Sequence, residues 1–297
     1  MTQFETRSGF VSIVGRPNVG KSTLVNAMVG EKIAITSPRP QTTRNTIRGV
    51  LTLPDRGSQM VLVDTPGIHK PQTALGDRLN RLVYGSLAEA DCVLFVLDAT
   101  QPIGPGDKLI AERLLQAGTP VVVALNKVDR AKREHIGDHL RIAGEWDFDA
   151  YVPISALKRD GIEIVIEEVD SRLKAGPFFF PEDAVTDQPD SLLVAELIRE
   201  KYLSRLHEEL PHSLAVMVTE MEQKGNGVLH ISATAYVERD SQKGMVIGKG
   251  GTMVRDVGKA ARYDLERLFG SKVFLDLNVK VEKDWQRTDE MLDRLGF

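Results

Sequence analysis

Gly15-Arg16-Pro17-Asn18-Val19-Gly20-Lys21-Ser22 is the stretch that most restricts what this chain can become. The apolar run Phe10–Val14 precedes it and reads as a short buried strand, while Thr23–Val29 reads as the start of a helix. Glycine, four residues, then Gly-Lys-Ser between strand and helix is a phosphate-binding loop. Gly15 and Gly20 let the backbone turn so that successive N–H groups face phosphate oxygens. The helix beginning near Lys21 adds the positive end of its dipole to the same anion. Lys21 suits the β- and γ-phosphates and the Ser22 hydroxyl suits Mg2+. Arg16, Pro17, Asn18, Val19 and Thr23 complete the expected nucleotide-facing set. A Gly-rich turn with a solvated lysine is the competing account, and the strand and helix flanks count against it.

At 297 residues the chain exceeds the usual size of one domain, so two are expected. Contents of 42% hydrophobic and 27% charged residues are ordinary for a soluble globular protein. With a net charge of −4 there is no chain-wide basic surface, so a nucleic-acid site has to be a local patch. Cys92, the only cysteine, lies in the apolar run Cys92–Leu97 and reads as buried. One cysteine permits no internal disulfide, which fits a reducing cytosol. Met1–Gly9 is polar, without the apolar core of a signal peptide, and no run approaches the roughly 20 apolar residues that cross a bilayer. Association with a membrane surface stays compatible with both facts.

Up to about residue 174, short β-rich runs alternate with helical patterns, the signature of a mostly parallel sheet with helices on both faces. The strands expected are Phe10–Val14, Thr46–Leu53, Gln59–Val63, Cys92–Leu97, Val121–Leu125 and Tyr151–Ile154. Helical patterns cover Leu75–Leu87, Lys108–Ala117, Ala131–Trp146 and Ile162–Leu173. Pro54-Asp55-Arg56-Gly57 is a tight-turn sequence and predicts one antiparallel hairpin at the sheet edge. Ligands of such sheets bind at the carboxyl ends of the strands. There the third strand runs into Asp64-Thr65-Pro66-Gly67, whose aspartate suits Mg2+ and whose glycine N–H suits a γ-phosphate. The fifth runs into Asn126-Lys127-Val128-Asp129. The Asp129 carboxylate can accept hydrogen bonds from N1–H and the 2-amino group of guanine, which adenine does not offer. The Lys127 stem suits the purine face, and Asn126 suits a brace between loops. Ser155-Ala156, after the sixth strand, suits the guanine O6.

In this order the motifs resemble those of the P-loop GTPases over residues 8–174. The resemblance implies a mobile loop with a Mg2+-binding threonine, here in Thr36-Ser37-Pro38-Arg39-Pro40-Gln41-Thr42-Thr43-Arg44. Thr43 is the first choice and Thr42 the alternative, since spacing does not separate them. Ras-like relatives carry a water-orienting glutamine just after Asp-x-x-Gly. Ile68 stands there, so the chain resembles the GTPases with a hydrophobic residue at that place. In those, a P-loop asparagine helps bind K+, and Asn18 matches it. The catalytic set implied is Lys21, Thr43, Gly67 and Asn18, with slow intrinsic turnover that K+ accelerates over Na+. His69, a tempting base, reads better as a surface residue.

Ala175–Asp190 carries Pro177, Pro181 and Pro189 around Phe178-Phe179-Phe180 and reads as an extended linker, residues 175–190. The phenylalanines are expected to pack against a domain. Beyond it, Ser191–Leu210 reads as a helix with Leu192, Ala195, Ile198, Tyr202 and Leu206 on one face. Leu214–Glu222 and Val228–Glu238 read as strands around the hairpin signal Lys224-Gly225-Asn226-Gly227. Val273–Val281 alternates as a third strand. Met245-Val246-Ile247-Gly248-Lys249-Gly250-Gly251-Thr252-Met253-Val254 lies between them and resembles the KH module. There a Gly-x-x-Gly loop between two helices clamps about four nucleotides. Gly248, Gly250 and Gly251 allow close approach, Lys249 with Lys243 and Arg255 supplies charge, and Val246 and Ile247 are expected to line the base groove. Residues 239–283 hold ten Lys or Arg against six Asp or Glu, a basic region in an acidic chain.

A P-loop GTPase at 8–174 followed by a KH domain of the bacterial α+β type at 191–297 resembles the Era family of bacterial ribosome-assembly GTPases. The resemblance spans essentially the whole chain. It implies a cytoplasmic, monomeric protein that cycles between GTP and GDP, binds the 3′ end of 16S rRNA and acts in 30S subunit maturation. It also implies association with the inner membrane surface. Two other classes stay open at this stage: a GTPase acting on tRNA or in membrane transport, and an RNA-binding scaffold with a vestigial nucleotide site.

Overall fold

The computed structural model describes residues 6–37, 39, 42–67, 73–206, 210–225 and 227–295. By contact the chain divides into two units, the first taking residues 1–71 and 76–187 and the second residues 72–75 and 188–297.

In the first unit, strands β1 (Arg7–Val14), β2 (Ile47–Leu53), β3 (Ser58–Asp64), β4 (Cys92–Asp98), β5 (Val121–Asn126) and β6 (Ala150–Pro153) form a sheet in the order β2-β3-β1-β4-β5-β6. Only β2 runs against its neighbour there, because Pro54–Arg56 makes a tight 3-10 turn back into β3. The other pairs along that path are parallel. Parallel strands are covered on both faces, which is why β4 and β5 are buried along their whole length. Helices α1 (Lys21–Val29) and α5 (Ile162–Asp170) cover one face through Leu24, Met28, Ile166 and Val169. Helices α2 (Ala74–Ala88), α3 (Pro105–Ala117) and α4 (Arg133–Gly144) cover the other through Val83, Ile110, Leu114 and Ala143. Helix α3 begins three residues before the apolar pattern does, at a proline suited to a first turn, and the Asp107 carboxylate accepts the Gly104 N–H at 2.9 Å. Cys92 is fully buried, and burial pushes its thiol up to about 12.

The stretch read as a linker is extended, and up to Asp187 it is strapped to the first unit. Lys174–Ala175 (β7) pairs antiparallel with β1 at Arg7 and Ser8. The Gln59 side chain accepts the N–H groups of Phe179 and Phe180 and donates to Phe180 O. Phe179 stacks on Phe10, ring centroids 4.9 Å apart. Val185 O then accepts the Val50 N–H at 2.9 Å, Thr186 bridges Gly49, and Asp187 pairs with Arg48 at 2.8 Å.

The second unit contains α6 (Asp190–Leu203), α7 (Leu210–Ser213), β8 (Ala215–Gln223), β9 (Leu229–Val237), α8 (Asp240–Ile247), α9 (Thr252–Phe269), β10 (Val273–Val281) and α10 (Asp289–Arg294). Its sheet has the order β10-β9-β8, with β10 parallel and β8 antiparallel to β9. Helix α9 buries Val257, Ala261 and Leu265, one side chain per turn, and leaves its basic face in water. Asn226 of the expected hairpin turn lies outside the described residues.

Helix α6 differs from its sequence reading in two ways. It ends at Leu203, and every residue from 193 to 200 is buried, charged ones included. Burial of Arg199 is made tolerable by a two-pronged pair with Glu196, at 2.7 and 2.8 Å. Tyr202 is wholly buried, its hydroxyl has no hydrogen-bond partner among the described residues, and burial holds its pKa above the ordinary phenol value. Tyr202→Phe is therefore expected to leave thermal stability unchanged or raise it by about 1 kcal/mol, because it removes a desolvated hydroxyl and little else. A loss of stability on thermal unfolding would show that the hydroxyl is satisfied after all.

Candidate functional site

The loops after the carboxyl ends of β1, β3, β5 and β6 meet around a cavity of about 480 Å³. Its floor is the loop from Gly15 to Gly20. Gly15 has no room for a side chain, since a Cβ would stand 2.5 Å from Val96 O. Asn18 takes a left-handed conformation at φ 64°, one that asparagine adopts more readily than most side-chain-bearing residues, and lines the cavity. Arg16 points elsewhere, pairing through Nε with buried Asp107 at 2.8 Å. Only its backbone is left for a phosphate.

Lys21, the first residue of α1, is buried, with Nζ donating to Gly15 O and Arg16 O at 3.2 Å each. Burial lowers its pKa to about 8, against the opposing pull of Asp64. Burial raises Asp64, against Lys21 and the hydroxyls of Ser22 and Thr43. Ser22 Oγ lies 2.6 Å from Asp64 Oδ2 and 2.9 Å from Thr43 Oγ1, and Thr43 Oγ1 donates to Asp64 Oδ2 at 3.3 Å. The other Asp64 oxygen, Oδ1, is buried with no hydrogen-bond partner among the described residues. Two hydroxyls and a carboxylate with an unused oxygen are the hard donor set that Mg2+ takes. The alternative threonine is engaged elsewhere: Thr42 Oγ1 donates to Arg39 O at 2.7 Å. Thr65, expected to face nucleotide, gives its hydroxyl to Ile13 O at 2.7 Å and so fastens the end of β3 to β1. Pro66 and Gly67 are buried beside it, and Gly67 lines the cavity. Ile68 and His69 lie outside the described residues.

The other end of the cavity narrows into a recess of about 130 Å³ lined by Gly20, Thr23, Asn126, Lys127, Asp129 and Leu157. Asn126 braces three segments. Its Nδ2 donates to Val19 O at 2.8 Å, and its Oδ1 accepts from Lys127 N at 2.8 Å and Ala156 N at 3.0 Å. Ser155 Oγ donates to Asp129 Oδ1 at 2.7 Å, orienting the carboxylate expected to read the base. Sequence reasoning missed Asp98, which accepts from Lys127 Nζ at 2.6 Å, and Leu157, which is 75% exposed at the rim of the recess. A carboxylate closing a wholly apolar strand at the sheet's carboxyl edge was the available signal for Asp98.

In the second unit, α8 and α9 are joined by Gly248–Gly251. Lys249 and Gly250 are exposed, as is Arg255, while Lys243 and Ile247 are half-buried. Val246 corrects the sequence reading. It is wholly buried, so its side chain packs the helix–sheet core and is not part of a base groove.

A GTPase-type nucleotide domain joined to a KH domain is the class that this fold and these loops define, and known proteins agree. The family model described as 50S ribosome-binding GTPase matches residues 10–127, and the KH domain model matches residues 209–286. GTPase Era of Ruminiclostridium cellulolyticum is 48% identical over 295 residues, covering 98% of this chain and 97% of its own. GTPase Era of Mycobacterium bovis BCG Pasteur is 48% identical over 304 residues, covering both chains fully. Two solved structures superpose at TM-score 0.92 with 37% identity, covering 98% of this chain and 99% of theirs. One is a tyrosine-to-alanine variant of Aquifex aeolicus Era bound to GDP and AlF4−; the other is Era with MgGDPNP and nucleotides 1506–1542 of 16S ribosomal RNA. The chain belongs to the Era family of GTPases. Among the described residues no helix is long and apolar enough to cross a membrane.

Proposed function

We propose that this chain binds GTP with Mg2+, hydrolyses it to GDP and phosphate, and uses the cycle to gate binding of the 3′ end of 16S rRNA during maturation of the 30S subunit. The observation that carries this reading is the meeting of Ser22, Thr43 and Asp64 beside Lys21. Thr43 belongs to the loop before β2, so a loop of the GTPase domain reaches the place where a γ-phosphate and its metal would sit. A relative's complex with MgGDPNP and the 16S fragment supports the same pairing of ligands.

The division of labour proposed is as follows. Residues 8–174, with the strap to 187, are the GTPase domain, and 191–297 are the KH domain. Ser22, Thr43 and Asp64 hold Mg2+, which when bound neutralises charge on the β- and γ-phosphate oxygens. The loop amides from Gly15 to Thr23 and the Lys21 ammonium hold the phosphates, and the Gly67 N–H senses the γ-phosphate. Asp129 reads guanine, with Lys127 along its face and Ala156 N–H at its O6. Asn18 contributes to a K+ site that stands in for an arginine finger, and Ile68 leaves the attacking water without a glutamine. Gly248–Gly251, with Lys243, Lys249, Arg255 and Ile247, clamps the RNA. The protein works as a cytoplasmic monomer that can lie on the inner face of the membrane.

RNA favours the GTP state only through a difference in affinity, and the coupling is then reciprocal. Affinity for a short RNA matching the 16S 3′ end is therefore expected to be higher with a GTP analogue than with GDP, and turnover to be faster in K+ than in Na+. Equal RNA affinities in both nucleotide states would remove the gating. Turnover stimulated by 50S subunits and not by this RNA would move the site of action to the large subunit.

A further inference from the structure

Asp98 has no part in the roles above, yet it is buried against Lys127, which lines both the cavity and its recess. It ends β4 directly beside Asn126 in the parallel register with β5. Its Oδ1 accepts the N–H and the hydroxyl of Thr100 at 2.9 and 2.6 Å. Its Oδ2 accepts from Lys127 Nζ at 2.6 Å, and the same ammonium donates to Asn18 O at 2.6 Å. Burial alone would raise this carboxyl; hydrogen bonds from Lys127 and Thr100 outweigh burial and hold it below the ordinary aspartate value. Asp98 is thus a charged, fully engaged acceptor.

We infer that Asp98 is a positioning residue for the guanine nucleotide: its carboxylate pins the Lys127 ammonium, which sets the Lys127 stem along the base recess and holds Asn18 in its turn. The inference rests on reading the cavity as a GTP site. A solvated lysine must give up its rotamer freedom when a base settles on its stem, and that loss opposes binding. Lys127 is already fixed at both ends of its reach. Its backbone is left-handed at φ 67°, a conformation a lysine keeps only where neighbours hold it; Asn18, at φ 64°, shares the conformation but adopts it more readily. The three-way contact of Asp98, Lys127 and Asn18 O supplies that hold. It also ties the guanine-reading loop after β5 to the phosphate loop, so one carboxylate serves both ends of the nucleotide.

The test is a double-mutant cycle on the full chain, with dissociation of fluorescent mant-GDP followed by stopped flow. Asp98→Asn keeps the shape and removes the charge. It is expected to speed dissociation about tenfold in the wild-type background and to change nothing further in Lys127→Met. A change under twofold, or the same factor in both backgrounds, overturns the role. Retained RNA affinity in each variant shows that the second domain is intact, and unfolding curves without nucleotide report on the first. Should Asp98→Asn fail to fold, Thr100→Val, which removes one donor to the same carboxylate, goes through the cycle with a two- to threefold effect expected. Absence of mant-GDP binding by the wild type would sink the nucleotide reading itself, whereas normal binding with an inert Asp98→Asn sinks only this inference.

Discussion

Lys21→Ala is expected to reduce GTP turnover by at least about a hundredfold, and nearer a thousandfold if the ammonium contacts the phosphates only as charge builds in the transition state. The side chain is buried on the loop itself, its Nζ held by Gly15 O and Arg16 O. Neither carbonyl is charged, so the ammonium can exchange both for phosphate oxygens at little cost. Arginine is not a substitute here, because its planar fork does not fit where a compact cation lies between two backbone oxygens. Phosphate release measured beside mant-GDP affinity separates chemistry from binding. RNA affinity of the variant without nucleotide should match wild type. A variant keeping more than a tenth of wild-type turnover would remove Lys21 from the catalytic set.

Gly250→Asp is expected to lower affinity for the 16S 3′-end RNA at least tenfold in low salt, with the gap closing as salt rises, because it places like charge against the phosphates. Gly248 is the less informative position. Its φ of 76° and ψ of 164° belong to a region that only glycine occupies, and a Cβ there would stand 2.7 Å from Met253 N. Any substitution at Gly248 breaks the loop before its charge matters. Gly250 has φ 62° and ψ 26°, which aspartate tolerates, and a Cβ would meet nothing within 4 Å. The melting temperature should therefore hold. Fluorescence anisotropy showing less than a twofold change would leave the loop without a role in RNA binding.

Much of this was legible in the chain because the physics involved is local. Apolar runs bounded by turn residues located all six strands of the main sheet path, and Pro54 to Gly57 located its antiparallel hairpin. The glycine pattern placed both loops that matter most. What escaped depends on distant pairs. Thr42 and Thr43 are equivalent by spacing, and only the approach of Asp64, 21 residues beyond Thr43, separates them. Asp98 meets Lys127 across 29 residues. Val246 looks like groove from its neighbours and is core from its environment. Helix α6 was read too long because no glycine or proline follows Leu203 before Pro211, so nothing local marks its end.

The strap after β7 has a consequence for the separability of the first unit. Strand β2 is the outermost strand on its side of the sheet, and an uncovered edge is a template on which other chains can add strands. Val185 and Thr186 occupy that edge at Arg48 to Val50, so residues that read as mere connection cover part of the place where another strand could pair. A fragment cut at 174 would expose this edge and lose the Gln59 and Arg48 partners together. One extended to Asp187 keeps them, and that is where the self-protected unit ends.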